Sequence, residues 1–76
     1  MILSDWILLH DYYKSLLDLN NKFLEYLQNT ISSYKGYSED IYEIYQNMYD
    51  EESEKITELE FELKSIDWII KSYKTN

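Results

Sequence analysis

Large apolar side chains return every seven residues along almost the whole chain in two interleaved rows, and that spacing specifies helices. In the first half one row holds Trp6, Tyr13, Asn20, Leu27 and Tyr34, and the other holds His10, Leu17, Leu24 and Ile31. Leu9, Leu16 and Phe23 widen these rows into a core-facing side, as in a helix packed against a neighbour. Ser4 is the predicted N-cap, with Asp5 in the first turn, where the helix dipole favours an acid. Asn20-Asn21 is a possible break, but the register passes unshifted from Leu17 to Leu24. One helix is therefore predicted from about residue 5 to about residue 34.

The chain has no Pro and a single Gly, so regular structure has one natural stop. Gly36 falls where a left-handed C-terminal cap is needed, and Ser38-Glu39-Asp40 supplies a new N-cap followed by acidic first-turn residues. Beyond it Tyr42, Tyr49, Ile56, Leu63 and Ile70 form one row, and Tyr45, Glu52, Leu59, Ile66 and Tyr73 the other, with Glu52 the only polar member. A second helix is predicted from about 39 to about 74. The alternative is a three-helix bundle with a break near 50–53, where Ser53 would cap a third helix.

A connection this short makes the helices antiparallel, so residues 1–76 form a single all-α domain, a long helical hairpin. Pairing about Gly36 sets Ile31 and Leu27 near Tyr45 and Tyr49, Leu17 near Leu59, and Trp6 near Ile66 and Ile70. It also sets Asn20 within about one turn of Glu52, a polar layer of the kind that fixes register at a cost in stability. At roughly 1.5 Å per residue, thirty residues make a rod about 45 Å long. Tyr12, Leu19 and Tyr26 on the first helix, and Phe61 and Trp68 on the second, lie off these rows at heptad spacing. Two helices alone leave them uncovered, which predicts an interface, the simplest being a homodimer in a four-helix arrangement. So short a chain also gains from such extra burial.

Composition excludes several classes of chemistry. Without Cys there are no disulfides, thiolate nucleophiles or thiolate metal sites, and a reducing compartment suffices. The first apolar run, Trp6-Ile7-Leu8-Leu9, is too short for a membrane span or a signal peptide, so a cytoplasmic chain with no membrane partner is expected. Val, Ala and Arg are missing while Ile, Lys, Asn and Tyr abound, the residue set of AT-rich codons, which points to a low-GC bacterium or one of its mobile elements. His10 is the only histidine and lies on a core row. No Glu-x-x-His pair, no glycine-rich phosphate loop and no Ser-His-acid set is present, so neither an enzyme nor a cofactor or metal site is expected. Asp50-Glu51-Glu52-Ser53-Glu54 lacks the glycine turn of a calcium loop.

Charge is segregated. Residues 39–62 hold ten acids and one base, a net −9, while the rest of the chain is +1. Asp18 with Lys22, Glu60 with Lys64 and Asp67 with Lys71 are ordinary acid-before-base helical pairs. Asp50, Glu54, Glu58 and Glu62 instead repeat like charge at four-residue steps, each costing about 0.2–0.5 kcal/mol. Such a row is best tolerated against something positive. The expected partner is a basic protein that binds nucleic acid, rather than nucleic acid itself, which the field repels. The leading expectation is therefore a small acidic inhibitor from a phage or mobile element, of anti-CRISPR or anti-restriction type, that mimics nucleic acid and blocks a host defence protein. Glu43, Asp50, Glu51, Glu54, Glu58 and Glu62 would make the charge contacts. Tyr12, Tyr26 and Tyr37, from a set of nine tyrosines, would add area. The runner-up is a helical adaptor or regulatory subunit binding its partner through Tyr12, Leu19, Tyr26, Phe61 and Trp68.

Overall fold

The computed structural model describes residues 2–33 and 38–75, and all of these except Ile2 and Ser38 are helical. Helix α1 spans Leu3–Ser33 and helix α2 spans Glu39–Thr75. They pack against each other as an antiparallel hairpin of 58 × 16 × 14 Å, a rod as predicted but longer than the expected length of about 45 Å, because α2 runs for 37 residues.

The two starts are capped differently. The Ser38 Oγ accepts the Ile41 N–H at 3.3 Å, and its carbonyl accepts the Tyr42 N–H at 3.1 Å, as predicted. At α1 the predicted cap is displaced, because Ser4 lies inside the first turn and Ile2 occupies the cap position. The Ile2 carbonyl accepts the amides of Asp5 and Trp6 at 3.0 and 3.3 Å, and the Asp5 carboxylate accepts the Ile2 N–H at 3.2 Å. That contact is the return half of a capping box, which uses only the backbone of the cap residue and so works with an isoleucine there. Tyr34, Gly36 and Tyr37, on which the predicted turn rests, lie outside the described residues.

Helix α2 runs unbroken through residues 50–53, which removes the three-helix alternative. Ser53 accepts the Thr57 hydroxyl on its carbonyl at 3.0 Å instead of capping a new helix. Ser and Thr inside the helices satisfy themselves in this way, Thr30 on Tyr26, Ser32 on Gln28 and Ser65 on Phe61.

The core is a seam. Leu27 on α1 and Ile56, Ile66 and Ile70 on α2 are its buried hydrophobic members, and Leu27 is wholly enclosed. The flanking residues of both rows are half-buried, and the ends thin out: Tyr42 and Tyr73 are 43% and 45% exposed. Phe23 also leaves the core side, its ring stacked on Tyr26 at 6.4 Å on the outside of α1.

Helix register follows from His10 lying opposite Asp67. Ile31 shares a surface hollow with Tyr49, as predicted, while Leu17 shares one with Leu63. Leu59 lies beside Tyr13, Leu16 and Asn20. The predicted Asn20–Glu52 layer is absent. Asn20 is level with Thr57, and its amide donates to the Leu16 carbonyl of its own helix at 2.8 Å. Glu52, level with Leu24–Leu27, is 5% exposed, and its Oε1 has no hydrogen-bond partner among the described residues. The chain folds back about a point beyond Gly36, and that offset separates the two polar side chains by more than a turn.

Two stability changes follow. Leu27→Ala should lower the unfolding free energy by about 2–5 kcal/mol, because it empties the most enclosed site of a thin core. Glu52→Leu should raise it by about 1–3 kcal/mol, since it removes an unsatisfied buried acceptor. Urea denaturation of both variants checks this, and a Glu52→Leu protein weaker than the parent would mean that the carboxylate has a stabilising partner.

Candidate protein interaction site

At about 100° per residue, the positions of α2 farthest from α1 are those near 43, 50, 54, 61 and 68. Glu43, Asp50 and Glu54 occupy the N-terminal part of this outer face and Phe61 and Trp68 the C-terminal part, all of them exposed. Glu54, Phe61 and Trp68 stand at exact heptad steps, so an acidic strip passes directly into an aromatic one. Glu51, Glu58 and Glu62 are exposed too, turned toward one edge. Of the ten acids in residues 39–62 only Glu52 is withdrawn into the core.

The ladder Asp50, Glu54, Glu58, Glu62 turns about 40° in the right-handed sense for each 6 Å step. It starts on the outer face and ends beside α1, where Glu58 and Glu62 line an open groove with Tyr13, Leu16, Asn20, Leu59 and Phe61. Lys55 is the one base on its rim. At the upper end the Gln46 amide donates to Asp50 Oδ1 at 3.3 Å, which anchors the first rung with a neutral donor. The sequence pattern gave no weight to Gln46, although a Gln four residues before an Asp is a recognised helical pair.

The five apolar positions predicted as one interface divide between two faces. Tyr12, Leu19 and Tyr26 lie on one side of α1, each 60–63% exposed, joined there by Leu8 and Phe23. Phe61 and Trp68, 70% and 71% exposed, sit on α2, and the hollow between them is lined by Lys64, Ser65 and Ile69 alone, with no α1 residue. Tyr12 and Tyr26 therefore have no place in the acidic face; the aromatics that extend it are Phe61 and Trp68.

His10 is half-buried on the core side and is flanked by two carboxylates that its sequence neighbourhood only partly reveals. Nε2 is 3.6 Å from Asp67 Oδ1 across the helix interface, and Nδ1 is 3.8 Å from Asp11 Oδ1. Asp67 also meets Lys71 at 3.9 Å, the predicted helical pair. Asp67 reaches His10 only through the antiparallel register, which sequence spacing could not supply. No group of three or more potential ligands is placed to hold a metal ion among the described residues, and no helix among them is long and apolar enough to cross a membrane.

Comparison with protein-family models, curated proteins and solved structures finds no match for this chain.

The ladder's self-repulsion gives a direct test of its geometry. Glu58→Gln removes two like-charge steps, to Glu54 and to Glu62, and should stabilise the protein by about 0.5–1 kcal/mol at low ionic strength. The gain should fade at molar salt, where screening acts within about 3 Å. Thermal melts at the two salt concentrations measure it, and a salt-independent difference would show that Glu58 acts through packing instead.

Proposed function

We propose that this protein is an acidic binding protein that sets the outer face of α2 into the basic site of a nucleic-acid-binding protein and so keeps nucleic acid out. The observation that carries this is the ladder: exposed carboxylates about 6 Å apart on a right-handed track, close to the phosphate interval along one strand. A rigid helix holds these charges at fixed positions, so little ordering entropy is lost when a partner's Lys and Arg side chains meet them. The charges also speed encounter with a basic partner through long-range attraction. Phe61 and Trp68 continue the same face and supply desolvated aromatic area of the kind that anchors interfaces. Glu43, Asp50, Glu51, Glu54, Glu58 and Glu62 are the charge contacts in this scheme.

Such an activity suits an inhibitor carried by a phage or other mobile element, acting in the host cytoplasm on a restriction, CRISPR or other nucleic-acid-handling protein. The AT-rich residue usage fits a low-GC host. Catalysis has no place in the scheme. A helical adaptor that binds through apolar surface is favoured by one observation, the exposure of Tyr12, Leu19 and Tyr26, and it predicts contacts indifferent to salt.

The decisive experiment is capture from a low-GC bacterial lysate with low-salt and high-salt washes, followed by competition with duplex DNA for the captured protein. The expected result is a basic nucleic-acid-binding protein that high salt releases and that loses its DNA to the acidic chain. Glu51→Lys, Glu54→Lys and Glu58→Lys together should abolish that binding while leaving helicity intact. Unchanged affinity in the triple variant, or a single salt-resistant partner without a basic groove, would sink the proposal and favour the adaptor.

A further inference from the structure

The acidic face leaves the other exposed surface unexplained. Leu8, Tyr12, Leu19, Phe23 and Tyr26 form a strip on α1, turned roughly a third of a turn from the core seam and bearing no acid of the 39–62 segment. The chain exposes 6029 Å², whereas a compact protein of 9.3 kDa exposes about 5,000 Å². The excess follows from the rod shape, and it leaves apolar area free on a scale comparable with one side of a specific interface, about 800 Å².

We infer that this strip pairs with itself: two copies meet antiparallel through α1, about a two-fold axis crossing the helix at the level of Leu17. The spacing of the strip selects a second copy as the occupant. Four of its five members fall in two pairs about that level, so one antiparallel alignment sets Leu8 against Tyr26 of the second copy and Tyr12 against Phe23, with Leu19 beside the axis, level with Ser15 of the second copy. A two-fold interface requires this self-complementarity, in which each contact occurs twice.

Charge complementarity supports the same alignment independently. Asp11 and Lys22 are exposed and lie on the same flank of the strip, and the two-fold axis brings that flank of one α1 against the same flank of the other. The alignment fixed by the apolar residues then faces Asp11 with Lys22, in two equivalent pairs, and the one like-charge approach along α1 is Asp18 with its own copy at the axis, farther round the flank from the contact line. On α2 the result is the reverse. Glu58 and Glu62 lie toward the same broad side, close to the level of the axis, and direct α2-to-α2 contact would set each against the other's copy. The two α1 helices therefore form the centre and both α2 helices stay outside, which leaves both acidic faces open.

A single helix pair of this length buries an area at the low end of specific interfaces, on the order of 1,000 Å² in total, so association belongs in the micromolar range. Sedimentation equilibrium from about 1 to about 500 µM tests it. The expected mass rises from the 9.3 kDa of one chain to twice that value. Leu19→Glu should keep the protein monomeric, whereas Phe61→Ala with Trp68→Ala should leave dimerisation unchanged. Asp11→Lys and Lys22→Asp should each weaken the dimer about tenfold at low salt, through two lost pairs and the repulsion that replaces them. The double variant should restore it. Because Asp11 also approaches His10, that rescue separates pairing from any loss of folding, and circular dichroism checks helicity in each protein. A mass of one chain at every concentration, a dimer that survives Leu19→Glu, or a double swap no better than the singles would overturn the inference.

Discussion

Burial along one narrow seam, Leu27 on α1 against Ile56, Ile66 and Ile70 on α2, is what joins the helices into a hairpin. Everything else about the molecule depends on how little that seam covers. A helix in a thick bundle hides a wide stripe, but here each helix meets a single neighbour, and the positions beside the seam remain half-exposed. The same thinness makes Glu52 conspicuous. A carboxylate among so few buried apolar residues subtracts a sizeable fraction of what they contribute, since net stability is always a small difference between large terms.

The sequence was most legible where a single helix decides the outcome. Heptad rows gave both helices, the continuity of α1 through Asn20-Asn21, the polar position at Glu52 and the Ser38 cap. Backbone chemistry that does not depend on side-chain type was harder to foresee: Ile2 holds the start of α1 because Asp5 reaches back to its N–H, whereas the pattern favoured the hydroxyl of Ser4. Relations between the helices were least legible. A shift of a few residues in the fold-back point leaves every heptad row intact, yet it moves Asn20 away from Glu52 and brings Asp67 to His10. Phe23 obeyed the period and still left the core, because one neighbouring helix cannot cover so broad a stripe.

The candidate site shows the same division. Exposure of the six acids was predictable, since a charged residue off the core row has nowhere else to go. That Phe61 and Trp68 extend this acidic strip, while Tyr12, Leu19 and Tyr26 belong to another helix and another face, required the antiparallel arrangement to be known. The five apolar positions grouped together from the sequence thus lie on two faces in space, each with different neighbours. Phe61 and Trp68 stand next to carboxylates, and the α1 strip stands next to Asp11 and Lys22.

That separation has a physical logic. Like charges along α2 repel one another at every ionic strength short of full screening, so a second copy approaching through α2 would meet a field that opposes it. Helix α1 carries four acids and two lysines, a net −2, so its apolar surface meets a much weaker opposition. In this chain most of the acidic surface lies on α2, beside Phe61 and Trp68, and the longer apolar strip lies on α1, with the seam between them. Nine exposed acids lie in residues 39–62 of α2; dispersed over both helices the same net charge would serve solubility equally well, but under the proposed pairing it would leave α1 no face on which another α1 could rest.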